Sequence, residues 1–391
     1  MNKFAWRRFV GGLAGLMIAV PSWAQQQGVT KDEILLGLIT DLSGPIASVG
    51  VNTRDALQMR VDEANAAGGV NGRKIRMLVE DNGYDPKRSV LAAQKLVTGE
   101  KVFAIIGHVG TANNVAAMPV LFENNVLSFM PMSGGRAMFE PPERLKVAII
   151  QPNGDLIEAG VRYLVKKKNH TKVCVLYQDD EFGQEHLRGT ETALKSLNLP
   201  LVERASYKRG ATDFSTQIAK LKGAGCTLVA LGTVVRETIG VMTEARKSDF
   251  TADFVGGEAV YSTTTHQLGG KATEGLYAIH GMNNLYADDP SKVARDWVAA
   301  YKTKFNAEPT ITSVYAYTMM DIFVAAATKA GPKLTTDSLI DTMESNVFPS
   351  KLGGPDFKLT KAVRLGASQS SAAQIQNGRW VQLSDGASLQ R

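Results

Sequence analysis

"VFAIIGHVGTANNVAAMPVLFENNVLSFMP", Val102 to Pro131, carries the fold in one stretch. The run Val102 to Gly107 has the length and β-branched content of a buried strand. After a turn through Gly110, "ANNVAAMPVLFENN" reads as a helix kinked by Pro119, and "VLSFMP" restarts as a strand. Two strands separated by a helix are joined by a crossover and run parallel. Between them lies "IIGHVGTANN" (Ile105–Asn114), a strand-to-helix turn. Such turns can bind anions at the free helix N-terminus. This one is a phosphate cradle, a catalytic turn, a carboxylate seat or simply a turn.

The alternation extends in both directions. Toward the N-terminus, "EILLGLIT" and "KIRMLVED" are strands. Between and after them, two helices place Leu57, Val61, Ala64 and Val90, Ala93, Val97 on single faces. The pattern then begins again. "KVCVLYQDD", "PLVERASY", "TLVALGT" and "DFVGG" are strands, and Phe214, Ile218 and Leu221 mark one intervening helix. The fold class is therefore α/β, with two doubly wound Rossmann-like units in tandem. Helices "SKVARDWVAAYKTKF" and "SVYAYTMMDIFVAAATKA" fit either unit. "AAQIQNGRWVQL" is a hairpin turning at Asn377-Gly378.

The first 24 residues stand apart. "MNKFAWRRF" is cationic, "VGGLAGLMIAV" is an apolar run of eleven, and small residues precede a cleavage expected after Ala24. This is a secretory signal peptide, with Arg7-Arg8 leaving a twin-arginine route open. The run is too short to span a bilayer, so no stable membrane insertion is expected, and no cysteine follows the cleavage site to carry a lipid. Loss of Lys3, Arg7 and Arg8 takes the formal charge from +6 to +3. No dense basic stripe with interleaved aromatics appears, so no nucleic-acid partner is expected. With 44% hydrophobic residues the remaining chain can build two cores. Cys174 and Cys226 are its two cysteines; export permits a disulfide, and two buried thiols are the other reading.

Several chemistries lack their residues. No GxGxxG follows a strand and no GxxxxGK[ST] occurs, which argues against a nucleotide at Gly107–Thr111. Ser133 follows a strand in "PMSGG", but without a GxSxG elbow. Histidines 108, 170, 186, 266 and 280 show no metal-ligand spacing, and His108 reads as a locally hydrogen-bonded core residue. The chain is expected to be no enzyme, with no cofactor and no metal.

Ligands of open α/β sheets gather outside the carboxyl ends of the strands. In the first unit those loops offer Thr111, Ala112 and Ser133: hydroxyls and helix N–H groups, suited to a carboxylate. In the second they offer Glu258 and the apolar faces of Phe182, Val234 and Tyr261. A carboxylate side chain facing the seat suits an ammonium. Thr111 as a plain helix cap and Glu258 as a plain surface acid are the alternatives. Arg136 and Arg236 are either solvated or paired with a second acid on the ligand.

"GLITDLSGPIASVG", "NAAGGVNGRKIRMLVEDNGYDP", "VFAIIGHVGT", "YQDDEFGQ", "ATDFSTQIAKLKGAGCTLVALG" and "FVGGEAV" occur in that order over Ile34–Val260. The string resembles the extracytoplasmic solute-binding proteins of branched-chain amino acid ABC transporters, of the leucine/isoleucine/valine type. The resemblance implies a type I periplasmic-binding fold of two lobes joined by three crossovers, expected near Ile149–Gly154, Ala278–Asn283 and Phe348–Pro355. Lobe 1 would hold residues 28–149 and 281–350, and lobe 2 residues 150–280 and 351–391. It further implies a periplasmic monomer that captures a small amino acid between its lobes and delivers it to an ABC permease. A receptor for another carboxylate, aromatic acid or amide, or a ligand sensor of the same fold, is the alternative. Carried over by position, the carboxylate site falls on Gly110, Thr111 and Ala112. Small and hydroxyl residues fall on Met132, Ser133 and Gly134, the second-lobe aromatic on Phe182, and the ammonium-binding acid on Glu258. Three departures stand out. Val49 and Val234 replace family aromatics, and Asn82 and Gly110 occupy the neighbourhood of an absent first-lobe disulfide.

Overall fold

The computed structural model describes residues 26–383. The expected signal peptide lies outside the described residues. The first unit runs β1 (Glu33–Thr40), α1 (Ala47–Ala66), β2 (Lys74–Asp81), α2 (Pro86–Gln94), β3 (Ala104–Ile106), α3 (Thr111–Glu123), β4 (Leu127–Phe129) and β5 (Lys146–Val147). Its strands form a parallel sheet in the order β2-β1-β3-β4-β5. Order reverses between β1 and β3, so the loops after those two strands flank a crevice at their carboxyl ends. β1 is buried over all but its first residue, which is why it reads as an unbroken apolar run rather than an alternating one.

The second unit runs α4 (Asn153–Lys168), β6 (Val173–Gln178), α5 (Glu181–Ser196), β7 (Leu201–Tyr207), α6 (Ser215–Gly223), β8 (Leu228–Gly232), α7 (Val235–Lys247), β9 (Asp253–Gly256), α8 (Thr263–Gly269) and β10 (Tyr277–His280). Three helices follow, α9 (Lys292–Phe305), α10 (Ile311–Ala330) and α11 (Thr336–Ser345). The chain ends in a two-stranded ribbon, β11 (Val347–Phe348) with β12 (Phe357–Lys358), and the hairpin β13 (Ser371–Gln376) and β14 (Arg379–Gln382). The second sheet has the order β14-β13-β10-β9-β8-β6-β7, reversing between β6 and β8. Asn377 and Gly378 both have positive φ, as the Asn-Gly turn demands. Cys174 of β6 and Cys226, just before β8, form a disulfide.

Chain order left the helices after β10 unplaced. In the structure α10 packs on α1, and its Phe323 meets Phe103 and Phe129 edge-to-face, so it completes the core behind the first sheet. α10 is long and apolar enough to cross a membrane by length and composition alone, yet 78% of its most apolar 18-residue window is buried inside the protein. A helix apolar all round belongs in a core.

The chain passes between the sheets three times. Two of the passages come after Val147 and after His280. The third falls later than Phe348–Pro355. Ala148 of the first unit pairs in parallel with Leu365, and buried Arg364 donates to the carbonyls of Arg144 and Lys146 and to Glu344. That buried guanidinium keeps the chain on the first unit as far as Gly366, whose amide still donates to Ala148. The three passages meet where Gln151 donates to the carbonyl of Ala367 (2.7 Å) and packs under Gly281.

Candidate functional site

The carboxyl ends of the two sheets face one another across a cavity of about 100 Å³. From the first unit Gly110, Thr111, Met132, Ser133 and Gly134 line it; from the second, Phe182, Val234 and Glu258. Of the residues carried over by resemblance, Ala112 is not on this wall. It faces a larger, more open cavity just outside.

The turn into α3 is shaped by Gly110. This residue is the cap of α3 with φ +95°, a conformation that strains any side chain, and a Cβ there would lie 2.7 Å from the Tyr84 ring. Its amide donates to Met132 and the Met132 amide to His108, which ties the ends of β3 and β4 together. Thr111 is therefore the first residue of the helix and not its cap. The amides of Thr111, Ala112 and Asn113 have no carbonyl one turn earlier to bond to, and the helix dipole adds to their pull on an anion. The Thr111 and Ser133 hydroxyls are 2.9 Å apart, and Ser133 Oγ accepts the Gly135 amide. Ser133 is bonded to no base in this arrangement. Gly134 is fixed as glycine, because a Cβ would lie 2.4 Å from the Gln151 carbonyl.

Glu258 follows β9 in a single 3₁₀ turn and is 8% exposed. Its Oε2 accepts the Gly281 amide (2.8 Å) and the Tyr315 hydroxyl (3.1 Å). Its Oε1 is buried without a partner. Desolvation pushes its pKa up to about 8, against the smaller opposing effect of those two hydrogen bonds. Burial thus favours the protonated form of this carboxyl. An ammonium placed on Oε1 would reverse that.

Between the seat and Glu258 the wall is apolar. Ile46, Tyr84, Val109, Phe182 and Val234 form one buried cluster, with Val49 and Met132 against it. Val49 and Val234 both belong to this apolar wall. Three residues weighed from the sequence play other parts. His108 lies outside the cavity; its Nε2 has no hydrogen bond, contrary to expectation, and burial lowers its pKa to about 3, so the ring is neutral. Tyr261 stacks on His280 at 3.9 Å instead of facing the cavity. Arg136 pairs with Glu140 and Asp155, and Arg236 with Glu237. Sequence reasoning missed Tyr84 and Tyr315, both of which line the cavity. Tyr84 packs on Gly110. The φ demand of "HVGT" hints at a close neighbour there, but nothing local names it. Among the described residues no group of His, Cys, Asp and Glu could hold a metal ion.

A family model described as periplasmic binding protein matches residues 33–379. The leucine-, isoleucine-, valine-, threonine- and alanine-binding protein of Pseudomonas aeruginosa is 24% identical over 330 residues, 84% of this chain and 87% of its own. A fatty acid ABC transporter substrate-binding protein from Thermomonospora curvata superposes with a TM-score of 0.82 at 24% identity, over 92% of this chain and 93% of its own. The solute-binding protein of an R. palustris ABC transporter, solved with benzoate, gives 0.81 at 17% identity over 89% and 95%. Two doubly wound sheets, three passages between them and a cavity at their facing carboxyl ends agree with that match: the chain belongs to the periplasmic binding protein family.

Proposed function

We propose that this protein is the periplasmic receptor of an ABC uptake system and captures a small aliphatic α-amino acid, branched-chain or similar. The ligand carboxylate sits on the amides of Thr111 and Ala112 and the hydroxyls of Thr111 and Ser133. Its ammonium meets Glu258, and its side chain lies against Phe182, Val234 and Val109. Each lobe supplies half the contacts, so ligand favours the closed form by differential affinity, and the closed form is what a permease would receive. The observation that carries this reading is the buried, unpartnered Oε1 of Glu258 on the cavity wall. A fatty acid or benzoate gives it nothing to bind, and an unpaired buried polar atom costs about 1–3 kcal/mol.

The raised pKa of Glu258 supports a second reading. A protonated carboxyl can donate to a carbonyl or hydroxyl, as on an amide or a hydroxylated acid. Isothermal titration of the purified protein with L-leucine, L-isoleucine, L-valine, benzoate and an aliphatic amide distinguishes the two. Tight binding of an amino acid that Glu258→Gln weakens at least tenfold supports the first. Binding of benzoate or the amide alone overturns it.

A further inference from the structure

At the rim of the cleft, Arg209, which follows β7 of the second unit, reaches across to the first. Its guanidinium lies 4.4 Å from the centre of the Tyr84 ring. Nη1 donates to the Tyr84 carbonyl and to Asn113 Oδ1, the latter at 3.3 Å. Nη2 is held from its own side by Asp180 at 2.6 Å. Gln178 bridges the same place, donating to Asp180 (2.6 Å) and to the Tyr84 hydroxyl (3.3 Å). Asp180 also caps α5, so the anchor for Arg209 is rigid. The Arg209 and Asp180 side chains are only 21% and 9% exposed, so their charges are poorly screened. The bonds to Tyr84 and Asn113 join groups of one unit directly to groups of the other. Tyr84 meanwhile has one face on the cavity and packs on Gly110 of the anion seat.

We propose that Arg209 and Tyr84 form a clasp between the lobes that stabilises the closed form in its own right, with Asp180 and Gln178 as its anchor. Closure then draws on two sources: the ligand bridging the lobes, and this direct contact. A planar guanidinium is needed because one group must meet the ring face, a carbonyl and a carboxylate together. Losing it should weight the equilibrium toward the open form for any ligand, irrespective of what the pocket selects. The clasp does not rest on the amino-acid reading.

The test uses the full mature protein without ligand. Cysteines at Leu91 and Leu268, which are 64% and 74% exposed, carry spin labels; Cys174 and Cys226 are bonded to each other and do not compete. Double electron–electron resonance then gives the distribution of distances between the lobes. Arg209→Ala should cut the closed-to-open ratio about tenfold, and Arg209→Lys should also lower it, since an ammonium keeps Asp180 but loses the fork. Arg204→Ala, which removes an exposed arginine paired with Glu191 inside the second unit, should leave the distribution close to wild type. Circular dichroism and melting temperature show that each variant is folded. Superimposable distributions for wild type and Arg209→Ala would overturn the proposal. So would an Arg204→Ala change as large as that of Arg209→Ala.

Discussion

Replacing Glu258 by glutamine, and following both proteins from pH 5 to 9, tests the centre of the proposed site. Burial raises the carboxyl to about 8 from an ordinary value near 4.5. A group whose pKa is higher in the folded state contributes stability below its unfolded pKa and loses it as pH rises through the folded value. Between about pH 4.5 and pH 8, ligand-free wild type should therefore lose up to about 5 kcal/mol that the glutamine variant keeps. Denaturant titrations at pH 5 and pH 9 read that difference. Binding moves the other way. An ammonium on Oε1 holds the carboxyl ionised, so an amino acid must displace the proton, about 0.9 proton at pH 7. Affinity should rise about fifty-fold from pH 6 to pH 8 and flatten above it. Calorimetry in phosphate and in Tris, whose ionisation enthalpies differ, counts the proton directly. Glu258→Gln should bind more weakly, release no proton and show a flat profile. Wild-type binding of an amino acid with no proton release and no pH dependence would refute the ammonium contact.

Three further outcomes follow from the geometry. Thr111→Ala removes the hydroxyl 2.9 Å from Ser133 and should weaken any carboxylate ligand about tenfold without altering the pH profile, as calorimetry will show. Gly110→Ala forces a side chain into φ +95° and against Tyr84, so the melting temperature should fall by the equivalent of about 1–3 kcal/mol, with binding lost. Replacing Cys174 and Cys226 together by alanine opens a closure of 52 residues and should lower the unfolding free energy by about 4 kcal/mol in denaturant titration, while ligand preference is unchanged.

The sheets were legible because each core strand is an unbroken apolar run bounded by turn residues, as in Ile34–Thr40 and Val173–Gln178. The parallel arrangement followed from the helices between them. Loops after strands then pointed to Thr111, Ser133 and Glu258, since topology alone puts those loops at one end of each sheet. What stayed hidden was every contact set by long-range packing. Tyr315 lies 57 residues from the Glu258 that it supports, and Tyr84 meets Arg209 across 125. The late third passage depends on Arg364 finding buried carbonyls in a distant loop. The Cys174–Cys226 pairing needed β6 and β8 to be neighbours, which strand order decides and chain order does not.

Glu258 hangs from the junction of the three passages: its Oε2 is bonded to Gly281, which packs on Gln151, which in turn holds Ala367. A door moves least beside its hinge pin. If the lobes turn about this junction, Glu258 stays near its place however wide the cleft stands, while Arg209 and Tyr84 at the rim sweep the longest arc. The carboxyl would then act as the first catch for an entering cation, and the rim contacts as the last to engage. Distance from the pivot would thus set the order in which the site is assembled, and a small bonding energy at the rim would be felt through the full length of the lever.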